Sequence, residues 1–170
     1  MPKIIENVRE QLLAEARKQI LERGYSETTI RSVAGACGLA VGTVYNYFKS
    51  KDILIATFVL EDWMRCLSRM RTLPTEDNKA FLAGVYESLL GFARDNERLF
   101  SNEDAAKQAS TGSARRHKLL RAQISELILP IIKNNDGFTA EFIAESLISW
   151  SAEGKDSSLV IPILLKLIES

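Results

Sequence analysis

The chain has only two cysteines and one histidine in 170 residues. Cys37 and Cys66 lie far apart, in no CxxC or other ligand spacing, so neither a disulfide framework nor a zinc site is indicated. With His117 alone, a multi-histidine metal centre is excluded as well. No uninterrupted apolar stretch approaches the roughly 18 residues of a membrane-spanning helix. Met1 to Glu10 is charged throughout and has no apolar core of signal-peptide type, so a cytoplasmic protein without metal or cofactor is expected. Net charge is missing too: it is zero, so any affinity for nucleic acid has to come from a local patch. Internal repeats, low-complexity tracts and strand-like alternation are also absent.

What the sequence does have is helical spacing throughout, with 46% apolar residues to bury. Ile5, Val8, Leu12, Ala16 and Ile20 mark one stripe of an opening helix from Ile4 to Arg23, which Gly24 ends. Thr28 or Ser26 is expected to cap the next helix, and Ser50 a long fourth helix from Lys51 to about Met70. Helices are further expected over Lys79 to Phe100, Arg115 to Asn134 with a kink at Pro130, Thr139 to Ala152 and Ser158 to Glu169. Ser101 to Ser113, polar and small, reads as a loop with at most a short helix. The first 51 residues hold eight basic side chains against five acidic ones, so the positive charge gathers at the N-terminal end.

Thr28 to Asp52, TTIRSVAGACGLAVGTVYNYFKSKD, reads as a helix-turn-helix. Ala34 falls where two helices pass closest, and Gly38 at the turn, where a positive φ costs glycine little. Val33, Leu39 and Val44 point inward. Val41, Gly42, Thr43, Tyr45, Asn46 and Tyr47 are left as an exposed polar and aromatic face of the second helix, suited to a DNA major groove. Thr29, Tyr45, Tyr47 and Lys51 carry the donors that phosphate contacts need, and Lys51 opens a helix whose backbone N–H groups also face a phosphate.

Gly38-Leu39-Ala40-Val41-Gly42-Thr43-Val44-Tyr45-Asn46-Tyr47-Phe48-Lys49-Ser50-Lys51 resembles the matching segment of the tetracycline-repressor (TetR) family of one-component regulators. The resemblance covers the first 50 to 55 residues, and the Tyr-x-Tyr-Phe-x-x-Lys continuation makes it specific. It implies an all-α protein: a three-helix DNA-binding domain over residues 1–51, and a helical effector-binding and dimerisation domain over 52–170. In that family the residues matching Arg31, Val41, Thr43 and Asn46 face base edges. Arginine suits guanine, asparagine adenine, and the methyls of Val41 or Thr43 a thymine methyl. The resemblance further implies a homodimeric repressor on a palindromic operator, released by a small molecule. The alternative is a DNA-bound protein-interaction factor of the same fold without such an effector. Members commonly have a hydroxyl residue and a basic or polar one where this chain has Ala40-Val41, so the reading helix lacks an N-cap, worth typically about 1 kcal/mol. No nucleophile, base or metal constellation suggests an enzyme.

Beyond the motif, Trp63, Met64, Phe81, Tyr86, Phe92, Phe100 and His117 are candidates to line an effector cavity, with plain core packing as the other reading. The last helix is apolar nearly all round, and such a helix must be buried all round. Ile143, Leu147 and Trp150 with Val160, Leu164 and Ile168 are therefore expected at a four-helix dimer interface, as the resemblance also implies, with burial of the last helix wholly within its own subunit as the other reading. Arg115, Arg116, His117, Lys118 and Arg121 cluster where a helix is expected to start, a solvated run or an anion site.

Overall fold

The computed structural model describes the backbone of residues 7–100, 103–133 and 136–169, and their side chains apart from residues 98, 100 and 103–114. Its helices are α1 (Val8–Arg23), α2 (Ile30–Ala36), α3 (Val41–Tyr47), α4 (Lys51–Arg71), α5 (Asn78–Asp95), α6 (Glu97–Phe100), α7 (Glu103–Ile128), α8 (Gly137–Ala152) and α9 (Ser157–Glu169). Among the described residues there is no strand, and the fold is all-α. The chain divides into two units, residues 1–62 with 96–108 and residues 63–95 with 109–170, so the division falls inside α4.

In the first unit, α1 packs on α2 and α6, and α2 on α3. Leu12, Ala16 and Ile20 bury one face of α1 against Val33, Ala34, Val44 and Phe48. Gln19 shares that buried face. Ile5 lies outside the described residues. Thr29 caps α2, whereas Thr28 is fully buried and gives its hydroxyl to the Gly24 carbonyl at 2.9 Å. Gly38 has φ 67°, and the Leu39 N–H reaches the Ala34 carbonyl at 2.9 Å to close the turn. Ala40 makes no side-chain cap for α3. Ser50 caps α4 through the Ile53 N–H at 3.2 Å. From α1, Arg9 pairs with Glu61 at 2.7 Å and Arg17 pairs with Asp62, both on α4.

In the second unit, α5 packs on α8 and α9, and α8 on α9. Leu82, Val85, Tyr86, Ile124, Ile143, Ala144 and Leu147 are wholly buried at its centre. Asp136 caps α8 by accepting from the Phe138 and Thr139 N–H groups, both at 3.1 Å. α7 gives way at Pro130 to a short 3-10 turn, Leu129–Ile131.

Two expectations are corrected. The stretch read as a loop, 101–113, belongs to α7 from Glu103 onward: Ala105, Ala106, Ala109, Lys107 and Gln108 are good helix formers, and no apolar stripe is needed to announce them. The basic run of 115–121 consequently sits inside α7 rather than at its start, so the macrodipole does not oppose it.

Candidate nucleic-acid interface

The capping of α2 begins in α1. The buried Gln19 donates from Nε2 to Glu15 at 2.8 Å, and its Oε1 accepts from the Ser32 hydroxyl at 2.6 Å. Ser32 and Thr29 then form a capping box: each backbone N–H reaches the other's side-chain oxygen at 3.0 Å. With its oxygen used as the acceptor, the exposed Thr29 hydroxyl keeps its proton for an outside partner.

On α3 the buried side is Val44, with Val41 partly packed on the same core. Gly42 and Asn46 are exposed, Thr43 is half-buried, and Tyr45 and Tyr47 are 45% and 48% exposed. A Cβ added at Gly42 would meet nothing within 4 Å, so the fold itself does not demand glycine there. An open hollow of about 430 Å³ is lined by Thr28, Thr29, Ile30, Arg31, Val41, Tyr45, Lys49, Ser50 and Lys51. It unites five of the nine candidate DNA contacts, Thr29, Arg31, Val41, Tyr45 and Lys51. Gly42, Thr43, Asn46 and Tyr47 lie outside its lining.

Lys51 is not a loose surface cation. Its ammonium donates to the Tyr25 carbonyl at 2.9 Å and lies 3.8 Å from the centre of the Tyr25 ring. Burial pushes its pKa below the usual lysine value, against the opposing charge of Asp52. The Tyr25 hydroxyl donates to Asp52 in turn. Sequence reasoning missed Tyr25 and Gln19. A polar residue at position 19, on the buried face of α1 between Ala16 and Ile20, was the one available signal for Gln19, and Tyr25 offered none.

The effector candidates separate. Trp63, Phe81 and Tyr86 are core residues with their polar groups paired: Trp63 Nε1 donates to Gln123 at 2.8 Å and the Tyr86 hydroxyl to the Lys155 carbonyl at 2.7 Å. Phe92 meets Trp63 edge-on at 5.3 Å. Met64 is corrected to the surface, 60% exposed, because α4 turns Trp63, Cys66, Leu67 and Met70 inward and position 64 away. His117 stands half-exposed on α7, with Nε2 2.8 and 2.9 Å from the two Glu145 oxygens on α8. Burial acts against the Glu145 carboxylate, but hydrogen bonding and charge from His117, with help from Ser149 and Arg121, hold its pKa below the usual range. The Phe100 side chain lies outside those described. Among the described residues no group of metal-ligating side chains is present, and no helix is long and apolar enough to cross a membrane.

The expected dimer residues are corrected by register. Ile143, Leu147, Val160, Leu164 and Ile168 are at most 8% exposed inside their own unit, and Trp150 alone is exposed. The apolar residues left outside are Phe138, Phe142 and Trp150 on α8 and Leu159 and Ile163 on α9. A helix apolar all round does not announce which side its own subunit takes.

A family model for bacterial regulatory proteins, tetR family, matches residues 12–57. The HTH-type transcriptional regulator UidR of Escherichia coli (strain K12) is 33% identical over 63 residues, 37% of this chain and 32% of that protein. The chain thus spans about a third of the length of the curated relatives it matches first, 32% for UidR. The fatty acid metabolism regulator protein of Bacillus subtilis (strain 168) is 26% identical over 149 residues, 88% of this chain and 73% of that protein. A solved transcriptional regulator from Rhodococcus sp. Rha1 aligns over 95% of both chains at 17% identity with a TM-score of 0.63, a shared fold.

Proposed function

We propose, from the match of residues 12–57 to the family model for bacterial regulatory proteins, tetR family, that the chain is a cytoplasmic DNA-binding transcriptional regulator, a repressor acting as a homodimer on a palindromic operator. The observation that carries this reading is the exposed outer face of α3, with Tyr45 and Asn46, next to the exposed Thr29 and Arg31 at the start of α2, all outside a well-buried helix-turn-helix core. Phosphates would be held by Thr29, Tyr45, Tyr47 and Lys51. Base edges would be read by Arg31, Val41, Thr43 and Asn46, with Gly42 admitting close approach of the backbone. The exposed apolar stripes of α8 and α9 support dimerisation through these helices. Catalysis forms no part of this reading.

Release by a small molecule entering the second unit is the regulatory step of the proposal, and it requires that the ligand favour the form unable to bind DNA. The Bacillus subtilis relative, matched over most of the chain, is by its name a regulator of fatty acid metabolism, so acyl-chain compounds are the first effectors to test. A second reading, a DNA-bound protein-interaction factor without an effector, is favoured by the paired and packed state of Trp63, Phe81 and Tyr86. Titrating the protein–duplex complex with acyl-chain compounds decides between them: dissociation supports ligand release, whereas unchanged affinity together with an unchanged melting temperature supports the second.

A further inference from the structure

Of the three tyrosines in the first unit, Tyr25 alone is shut away from solvent, 8% exposed against 45% and 48% for Tyr45 and Tyr47. It sits in the turn between α1 and α2, yet its contacts run to α4. Its hydroxyl donates to the Asp52 carboxylate, its carbonyl accepts from Lys51 Nζ at 2.9 Å, and the same ammonium lies over its ring at 3.8 Å. The first two residues of α4 therefore grip a single residue of a distant turn. That turn is itself rigid, because the Thr28 N–H bonds the Tyr25 carbonyl at 3.3 Å and the Thr28 hydroxyl bonds the Gly24 carbonyl. The next residue is Thr29, the cap of α2. Thr28 to Arg31 form one side of the hollow, and Ser50 and Lys51 another.

We propose that Tyr25 is a positioning residue for DNA phosphate binding, which fixes the separation between the Thr29 and Lys51 sides of the hollow and holds the Lys51 ammonium in place before DNA arrives. This rests on the DNA-binding reading above. A lysine ammonium on a flexible four-carbon stem has many positions open to it, and phosphate contacts need donors at a set spacing. The ammonium has three N–H groups; one is spent on the Tyr25 carbonyl, which leaves donors for a phosphate oxygen. Occupying the Asp52 carboxylate with the phenol has a second effect, since an anion next to the hollow is given a donor of its own.

The test is a double-mutant cycle of Tyr25→Phe and Asp52→Ala, titrated with a random-sequence DNA duplex at several salt concentrations. All proteins are held well below their melting temperatures, and folding is checked by circular dichroism. Tyr25→Phe keeps the ring and the carbonyl, so the Lys51 contacts survive. It is expected to weaken binding about three- to tenfold, with the slope of log K against log salt unchanged because no cation is lost. In the Asp52→Ala background the same change is expected to have no further effect. Wild-type affinity in Tyr25→Phe, or an equal loss with and without the Asp52 carboxylate, would overturn the proposal and leave DNA binding intact. If the wild-type protein itself binds no duplex in a salt-dependent way, the DNA-binding reading fails, and this one with it.

Discussion

Gly42 poses the sharpest question at the scale of single residues, because its own fold would accept a side chain there. Glycine inside a helix costs about 0.5 to 1 kcal/mol relative to alanine. Gly42→Ala should therefore raise the melting temperature and yet weaken duplex binding, if the bare backbone is there to approach DNA. Unchanged affinity in a stabilised variant would remove Gly42 from the interface. Asn46→Ala should lose about 1 to 3 kcal/mol at particular base pairs while leaving random-sequence affinity nearly intact. A scan of single base-pair changes showing uniform loss would contradict its role as a reader. The outward placement of Gly42 and Asn46 was legible from spacing, since Ala34, Gly38 and Val44 fix which side of α3 faces out. Tyr25 was not, because its partners lie some 26 positions away and no periodicity links them.

Among the elements, two helix caps contribute to the pH dependence of stability. Asp136 and Asp156 bond the side chains and backbone N–H groups that open α8 and α9, and these bonds, led by Thr139 and Ser158, hold both carboxyls below the usual range. With folded pKa values depressed, the unfolded chain binds protons more readily. The capping contribution is thus complete above the unfolded carboxylate value of about 3.9 and is lost as pH falls through the folded values. An Asp136→Asn, Asp156→Asn protein, still capped but without a charge to lose, should show a smaller drop in melting temperature between about pH 5 and about pH 3 than the wild type. An equal drop in both would locate the acid sensitivity elsewhere. Helix existence was readable wherever an apolar stripe ran, as in α1, α4, α5 and α8. It was not readable for the first half of α7, whose alanines and polar residues signal helix by propensity alone.

For the whole molecule, the register of α9 separates stability from assembly. Leu164 is 3% exposed in its own subunit and Ile163 63%. Leu164→Glu should bury an unpaired charge and unfold the second unit, whereas Ile163→Glu should leave a folded monomer with greatly reduced operator affinity. Mass measurement in solution beside circular dichroism tells the two apart, and a folded dimeric Ile163→Glu protein would place the two-fold axis on another surface. The sequence announced that α9 had too many apolar faces for a surface helix, but the side taken by α5 and α8 depends on packing between segments far apart in the chain. In the proposed dimer, two copies of the α3 face read one duplex together. Selecting bound duplexes from a random-sequence pool with the full chain tests it most directly. Enrichment of an inverted repeat, with the preference at one base pair in each half lost in Asn46→Ala, is the predicted result; a pool that stays random, or a single unrepeated site indifferent to Asn46, would contradict it.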